Sequence, residues 1–481
     1  MKSPIPNSDE LVQIRLLPFD FDRLVDERVC LVSMAGDWLF VSKSEFSTLS
    51  SKDHVPHSLA QRLVASHIAR YDDNSNASYL LSLKVATRNR NIADGTGLHI
   101  FVVTLRCEHS CGYCQVSRKN SDSTEFDMSL IVAMQSLEIV FQSPSRNIKI
   151  EFQGGESLLN FDLIKKIVKE AKSKNATEQR NLQFVIATNL AVLDDSILDF
   201  AKEENIYFST SLDGPKELHN LNRNRPGRNS WELTIQGIQR VRETLGKDSI
   251  SALMTTTEAS LRDVTQIIDQ YVDLNFHEIF LRPLSPYGFA MKGKGYRSYD
   301  QERWSRFYFE GLQYIIELNR NGIQLVEQMA SLYLKKILTN DSGRYVDLMT
   351  PTGAGLGALV YNYDGSIYAS DEGRMLKEMG DETFKIGKVG EVTYNEIMTG
   401  DTFLNMVEES FAPSNPMCSD CAYRIFCGSD PVLHYALHGD FVGHKPSSSF
   451  CQRTLSIVPW LMQRYEEDPF CRNLFEKWAM S

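Results

Sequence analysis

From about residue 98 the chain alternates between two textures. Short runs rich in β-branched and aromatic residues predict strands over 99–105, 148–154, 182–189, 206–213, 249–256 and 277–284. Between them, apolar residues recur at helical spacing and predict helices over 128–142, 161–174, 194–204, 230–245 and 260–274. The first of these has Asp127 as its N-cap and Pro144 beyond its end. Strands alternating with helices predict a parallel sheet with right-handed crossovers. Six such units make an incomplete α/β barrel, a partial (β/α)6. Residues 301–340 predict two further helices, and 452–478 a last one. From 350 the chain becomes irregular and rich in Gly and Cys, the texture of a metal-stapled module. Ahead of the barrel, 29–49 reads as strand, Gly-containing turn, strand, then a helix opened by Ser44. That predicts a small N-terminal α+β extension.

Composition sets limits on what this fold does. The 481 residues are 42% hydrophobic and 23% charged, enough for a sizeable core and more than one domain. A net charge of -11 without a Lys/Arg-rich block excludes the usual signature of nucleic-acid or anionic-membrane binding. The start of the chain has no apolar signal-like stretch, and no run approaches the roughly 18 apolar residues of a membrane helix. The expected location is the cytoplasm. There disulfides are rare, so clustered cysteines read as metal ligands or redox catalysts. Of the nine cysteines, Cys30 and Cys471 stand alone and read as small buried hydrophobes.

Cys107, Cys111 and Cys114 stand together in 105-LRCEHSCGYCQVSR-118, just after the first barrel strand. Thiolates are soft ligands for Fe–S clusters, zinc or copper. A structural zinc site takes four protein ligands, and His109 offers an awkward fourth. Three thiolates on a four-iron cluster instead leave one iron open, at the strand ends where such barrels place their active sites.

Here the sequence resembles the radical S-adenosylmethionine (SAM) superfamily, whose signature C-x-x-x-C-x-aromatic-C has Tyr113 as its aromatic. The resemblance covers roughly 98–475. Residues 153-QGGES-157 are similar to a Gly-Gly-Glu-Pro motif that contacts the SAM amino group, which implies Gly154, Gly155 and Glu156, with Ser157 in place of Pro. Glycine there suits close approach of a ligand to the backbone. Thr188-Asn189 resembles Thr-Asn-Gly, with Leu190 in place of Gly. The stretch 209-STSLDG-214 resembles the family's Ser-Asp-Gly strand end and implies Ser211 and Asp213 as site residues. Residues 219–231 resemble a further stretch in which Arg223 partners the SAM carboxylate. The resemblance implies a [4Fe–4S] cluster and SAM as cofactors, and reductive cleavage of SAM to a 5′-deoxyadenosyl radical that abstracts hydrogen from a substrate.

A second set, Cys418, Cys421, Cys427 and Cys451, closes either a cluster or a zinc site on its own terms. Behind such a barrel it resembles the SPASM module of peptide-modifying enzymes, which normally holds two auxiliary clusters. In the segment that resembles the module's entry, Thr352 and Ser370 stand where cysteines are expected, and Pro431 stands where a later one is expected. One auxiliary [4Fe–4S] cluster, on the four late cysteines, is therefore expected. Asp371 and Glu372 follow one vacated position and are candidate catalytic carboxylates. His434, His438 and His444 read as structural or exposed.

The expected organisation is an extension at 1–97, a radical SAM core at 98–300, a helical linker at 301–349 and a SPASM-like module at 350–481. The motifs look most like maturases of the His-Xaa-Ser system. That implies a precursor peptide or protein with His-Xaa-Ser repeats, a second radical SAM protein as partner, and a small redox donor. The N-terminal module would bind a leader by adding a strand to an exposed edge. Two other readings stand beside this one. The first is oxidation of Cys or Ser in the manner of an anaerobic sulfatase activator, or a radical reaction on a small molecule. The second is a non-catalytic scaffold for a partner enzyme.

Overall fold

Strands and helices precede the barrel in the order β1 (Leu11–Leu16), β2 (Phe19–Arg23), β3 (Arg28–Ser33), β4 (Trp38–Ser42), α1 (Lys43–Ser51), β5 (His54–Pro56), α2 (His57–Ala65), β6 (Ala69–Tyr71) and α3 (Ala77–Asn89). The computed structural model describes residues 10–480 apart from 52–53, 73–75, 293–295 and 297–298. The first residues of the chain, read above for a signal stretch, thus lie partly outside the described ones. β2, β3 and β4 form an antiparallel sheet, and β1 pairs between β5 and β6. The helix after β4 opens at Ser42 rather than Ser44. Ser42 Oγ accepts from Glu45 N at 3.2 Å while Glu45 returns a carboxylate oxygen to Ser42 N at 2.7 Å, a reciprocal cap that Ser44 has no glutamate to complete.

The barrel follows as β7 (Leu98–Thr104), α4 (Leu130–Gln142), β8 (Asn147–Gly154), α5 (Phe161–Glu178), β9 (Asn181–Thr188), α6 (Asp195–Glu204), β10 (Ile206–Ser211), α7 (Lys216–Asn222), α8 (Ser230–Leu245), β11 (Ile250–Leu253), α9 (Val264–Asp273) and β12 (Glu278–Ile279). β7 to β11 form one parallel ladder in sequence order. Alternation along β8 explains its two faces. Ile148, Ile150 and Phe152 are buried toward the helices, while Lys149, Glu151 and Gln153 line the space inside the sheet. The sixth run, 277–284, keeps only two ladder residues, and these pair with β13 (Val326–Glu327) rather than β11. Pro283 and Pro286 follow directly and have no N–H to donate. Helix α4 starts two residues late because Asp127 is used elsewhere. Its carboxylate accepts from Arg106 at 2.8 and 2.9 Å and from Thr104 Oγ1 at 2.6 Å, and Ser129 caps the helix.

After the barrel come α10 (Phe289–Lys292), α11 (Gln301–Arg320), α12 (Gln328–Leu338), β14 (Ala358–Tyr361), β15 (Ser366–Tyr368), α13 (Asp371–Lys377), β16 (Lys385–Lys388), α14 (Tyr394–Thr399), α15 (Asp401–Glu409), α16 (Pro431–His438), α17 (Ser449–Glu467) and α18 (Pro469–Met480). β14 pairs in parallel with β7, so the hairpin β14–β15 and then β16 extend the barrel sheet on its other edge. The single helix expected over 452–478 is two. Asp468 accepts from Phe470 N at 2.9 Å and caps a new helix whose first residue, Pro469, cannot continue the old one. One apolar core runs through all three regions, from Cys30 and Phe40 through the strand phenylalanines to Trp478. Among the described residues, no helix is long and apolar enough to cross a membrane.

The N-terminal module is fastened to the late cysteine loop by polar contacts. Tyr423 Oη donates to Asp22 at 2.9 Å, and Arg424 pairs with Asp20 at 2.7 Å. Arg88, 3% exposed on α3, donates to the carbonyls of Lys336 at 2.6 Å, Ala35 and Thr339 at 3.3 Å and Ile425 at 3.4 Å. Buried carbonyls left without a donor cost about 1–3 kcal/mol. Arg88→Met is therefore expected to lower stability by about that amount in a denaturant titration. It should also lower iron retention at the late site more than at the first.

Candidate active site

Strand ends place the first cysteine loop. β7 delivers its C-terminus to residue 104, and the loop closes on itself through Cys107 N to Lys119 O at 3.1 Å and Lys119 N to Leu105 O at 2.7 Å. The end of β8 packs hard against this loop. A Cβ on Gly154 would lie 2.0 Å from Thr104 O, and one on Gly155 would lie 2.3 Å from Arg106 O. The close approach that demands glycine here is thus of chain to chain.

Glu156 is fully buried and its carboxylate is spent on neighbouring strand ends. It accepts from Leu158 N at 3.1 Å, Thr188 Oγ1 at 2.6 Å and Asn189 N at 2.8 Å. Burial and the Glu108 carboxylate push it up to about 7 against those hydrogen bonds. Asn189 in turn donates to Glu108 at 2.8 Å, beside His109. Both nitrogens of His109 are occupied: Nδ1 lies 2.8 Å from Glu108 and Nε2 2.8 Å from Ser230 Oγ. His109 therefore ties the loop to α8. Cys107, Glu108 and His109 are the only group of three among the described residues with ligand atoms within 4.8 Å of one another. The hydrogen bonds of His109 account for that closeness without an ion.

A second knot surrounds Asp213, which is fully buried. It accepts from Tyr113 Oη at 2.9 Å, Arg223 Nη2 at 3.1 Å and Thr255 N at 3.3 Å. The Arg223 guanidinium also lies over the Tyr113 ring, 5.5 Å from its centroid. Burial opposes the charge on Arg223, but Asp213 first, then Tyr113 and Cys111, together outweigh burial and hold the guanidinium firmly protonated. Arg223 Nε is buried without a partner. Arg223, Ser211 and Gln115 face a cavity of about 340 Å³.

The donors suit an iron–sulfur cluster. Burial, then neighbouring carboxylates, push the Cys107 thiol up, and burial pushes Cys111 up to about 12. A metal held by these thiols would take them as thiolates and release their protons. The triad, with the orphaned Arg223 Nε beside it, fits a cluster that also takes an anionic ligand. Among the late cysteines, burial comes first and mutual proximity follows. It lifts Cys421 to about 12 and Cys451 to about 11, and Cys421 feels all three of the others. Four neighbouring thiols, with no three sulfurs within 4.8 Å of one another, have the spread of ligands for a several-iron cluster and not for a single ion. His434 hydrogen-bonds Ser448 at 3.0 Å, and His444 hydrogen-bonds Ser447 at 2.8 Å. At the positions lacking cysteine, the side chains make local caps. Thr352 Oγ1 accepts from Ala354 N and Ser370 Oγ from Gly373 N, each at 3.1 Å, and Pro431 opens α16.

Asp371 is held by the buried Arg374 at 2.8 Å, and Arg374 also donates to Val116 O beside the first cysteine loop. Glu372 points elsewhere, to Arg282 Nη2 at 3.4 Å. Arg282, Asp347 and Asp430 were not singled out in the sequence. Arg282 had a signal: it lies late in the sixth run, 277–284, where barrel strands deliver functional side chains.

Residues 101–270, about a third of the chain, match the family described as the Radical SAM superfamily. It is 23% identical over 337 residues to a cysteine-type anaerobic sulfatase-maturating enzyme of Clostridium perfringens, covering 67% of this chain and 84% of the relative. It is 33% identical over 147 residues to an uncharacterized protein of Methanocaldococcus jannaschii, and there spans about half (49%) of the relative's length. The solved structure of native anSMEcpe with bound AdoMet shares the fold at a TM-score of 0.66 and 19% identity, over 79% of this chain and 99% of that one. Streptococcus suis SuiB bound to precursor peptide SuiA does so at 0.53 and 14%, over 92% and 100%.

Proposed function

We propose, from the premise that residues 101–270 form a radical SAM domain, that this chain is a radical SAM enzyme modifying a ribosomally made peptide or protein. One observation carries the reading. The loop that carries the three thiols, Glu156, Asn189 and Asp213 follow four successive strand ends, and Arg223, at the end of α7, pairs with Asp213 and opens on a cavity. When bound on Cys107, Cys111 and Cys114, a four-iron cluster with SAM supplies one-electron reduction and hydrogen abstraction. The chain's own residues do the rest. Arg223 offers a desolvated positive charge to a carboxylate, and Asp213 with Tyr113 fixes its direction. Glu156 and Asn189 lock the cysteine loop to the neighbouring strands, and Ser211 offers a hydroxyl within the cavity. Asp371 and Glu372 are candidate bases or substrate contacts.

A protein substrate is supported by the relatives, one a sulfatase-maturating enzyme and one bound to a precursor peptide. Within that class we favour a precursor with His-Xaa-Ser repeats, matured alongside a second radical SAM protein and fed by a small redox donor. The β4 edge, lining a groove of about 610 Å³ with Trp38 and Phe40, is the proposed place for a leader strand. Oxidation of a Cys or Ser side chain is the second reading, favoured by the match to the sulfatase-maturating enzyme over 67% of the chain. The test is anaerobic reconstitution, reduction and SAM cleavage with each peptide class. Deoxyadenosine together with a mass change on the His-Xaa-Ser peptide is the expected result. A mass change only on a sulfatase-type Cys or Ser peptide would favour the second reading. No deoxyadenosine from an iron-loaded chain would leave a scaffold.

A further inference from the structure

A second cavity, of about 140 Å³, shares a wall with the one that holds Arg223: Phe280, Arg282, Pro283 and Tyr345 line both. Three carboxylates face it, those of Asp347, Glu372 and Asp430. Two guanidiniums face it as well, from Arg282 and Arg453. Arg282 Nη2 lies 3.4 Å from Glu372 and 3.6 Å from Asp347. Arg453 is engaged by rings, 5.5 Å from Phe450 and 5.7 Å from Trp304. Among the described residues, three carboxylates thus share the cavity with two guanidiniums, and only Arg282 is ion-paired to any of the three.

A separate observation points to a ligand. Tyr287 is 1% exposed, lines the cavity, and its hydroxyl has no hydrogen-bond partner among the described residues. A buried hydroxyl without a partner is costly unless something fills the space in front of it. Six further aromatic side chains line it, among them Tyr296, Tyr299 and Tyr333, which suits a cation set against ring faces. Burial, with Asp347 next, pushes Glu372 up to about 7 and Asp430 up to about 8, as expected of carboxylates short of positive charge. The three carboxylates do not converge within 4.8 Å as a set, so the space suits an organic cation better than a single metal ion.

We propose that this cavity receives one protonated basic side chain of the substrate, held by Glu372, Asp430 and Asp347 and donating to the free face of Tyr287. The proposal rests on the reading of the chain as an enzyme acting on a peptide or protein. It adds a specificity pocket one wall away from the radical site.

The test uses the full, anaerobically reconstituted chain and three small probes in calorimetric titration: N-acetyl-lysine methylamide, N-acetyl-arginine methylamide and the neutral N-acetyl-norleucine methylamide. At least one cationic probe is expected to bind at least ten-fold more tightly than the neutral one. Glu372→Gln is expected to weaken that probe about ten-fold. Tyr287→Phe, which removes only the hydroxyl, is expected to weaken it several-fold without changing the melting temperature. Equal binding of the neutral probe overturns the proposal, as does unchanged binding in Glu372→Gln or the absence of binding by either cation at millimolar concentration. SAM cleavage by the unmutated chain is assayed in parallel. Lack of deoxyadenosine with cation binding intact counts against the enzyme reading alone. Cleavage without cation binding counts against the pocket alone.

Discussion

Replacing Cys107, Cys111 and Cys114 together by alanine is expected to lower iron from about eight to about four atoms per chain and to abolish deoxyadenosine formation. The three thiols come from one loop, and that loop is closed by backbone hydrogen bonds that alanine retains. The chain should therefore stay folded, with its late site loaded. The four late cysteines lie more than 300 residues further along the sequence, in a different loop and helix start, so they form an independent count. About twelve irons in the unmutated chain would require ligands for a further cluster. Positions Thr352, Ser370 and Pro431 argue against that, since each is committed to a local cap or helix start. About four irons, with zinc in the late site, would keep the radical reading and overturn the auxiliary cluster.

Asp213→Ala is expected to cost about 3–5 kcal/mol of stability, because it leaves the largely buried Arg223 guanidinium without its counter-charge. Tyr113 loses its acceptor in the same step. Denaturant titration measures the loss. The companion double variant, Asp213→Ala with Arg223→Met, separates charge from packing. Removing both partners is expected to recover much of the loss, whereas a simple packing defect would add to it. Neither variant is expected to bind SAM normally, since one misdirects the guanidinium and the other lacks it. A single Asp213→Ala variant as stable as the parent would show that Arg223 finds its charge balance elsewhere.

The parallel barrel was legible because its strand runs are short, rich in β-branched and aromatic residues, and separated by helices of clear period. What escaped the sequence was local competition for the same side chain. Asp127 has the composition of a cap, yet Arg106 reaches it from a distant loop. Ser44 and Ser42 look alike until the glutamate three residues on is counted, and only Ser42 has one. Pro469 sits inside an apolar pattern that continues past it, so the period hides the break. At the site, the first cysteines and the glycine and acidic motifs could be found by spacing alone. Asp347 and Asp430 could not, and Arg282 only by its place late in the sixth run, because the three come from separate regions that meet only in the folded chain.

The pairing of β14 with β7 bears on how this protein is made. On a ribosome, β7 emerges early, with its apolar residues Ile100 to Val103 all buried in the finished fold. Its outer edge is covered only when residues 358–361 arrive, after the whole barrel and both linker helices have been synthesised. Until then the nascent barrel presents a bare strand edge, a template for unwanted pairing with other chains. A gene fragment ending before residue 358 keeps that edge open for good. Soluble expression of the barrel is therefore expected to require the hairpin that follows it.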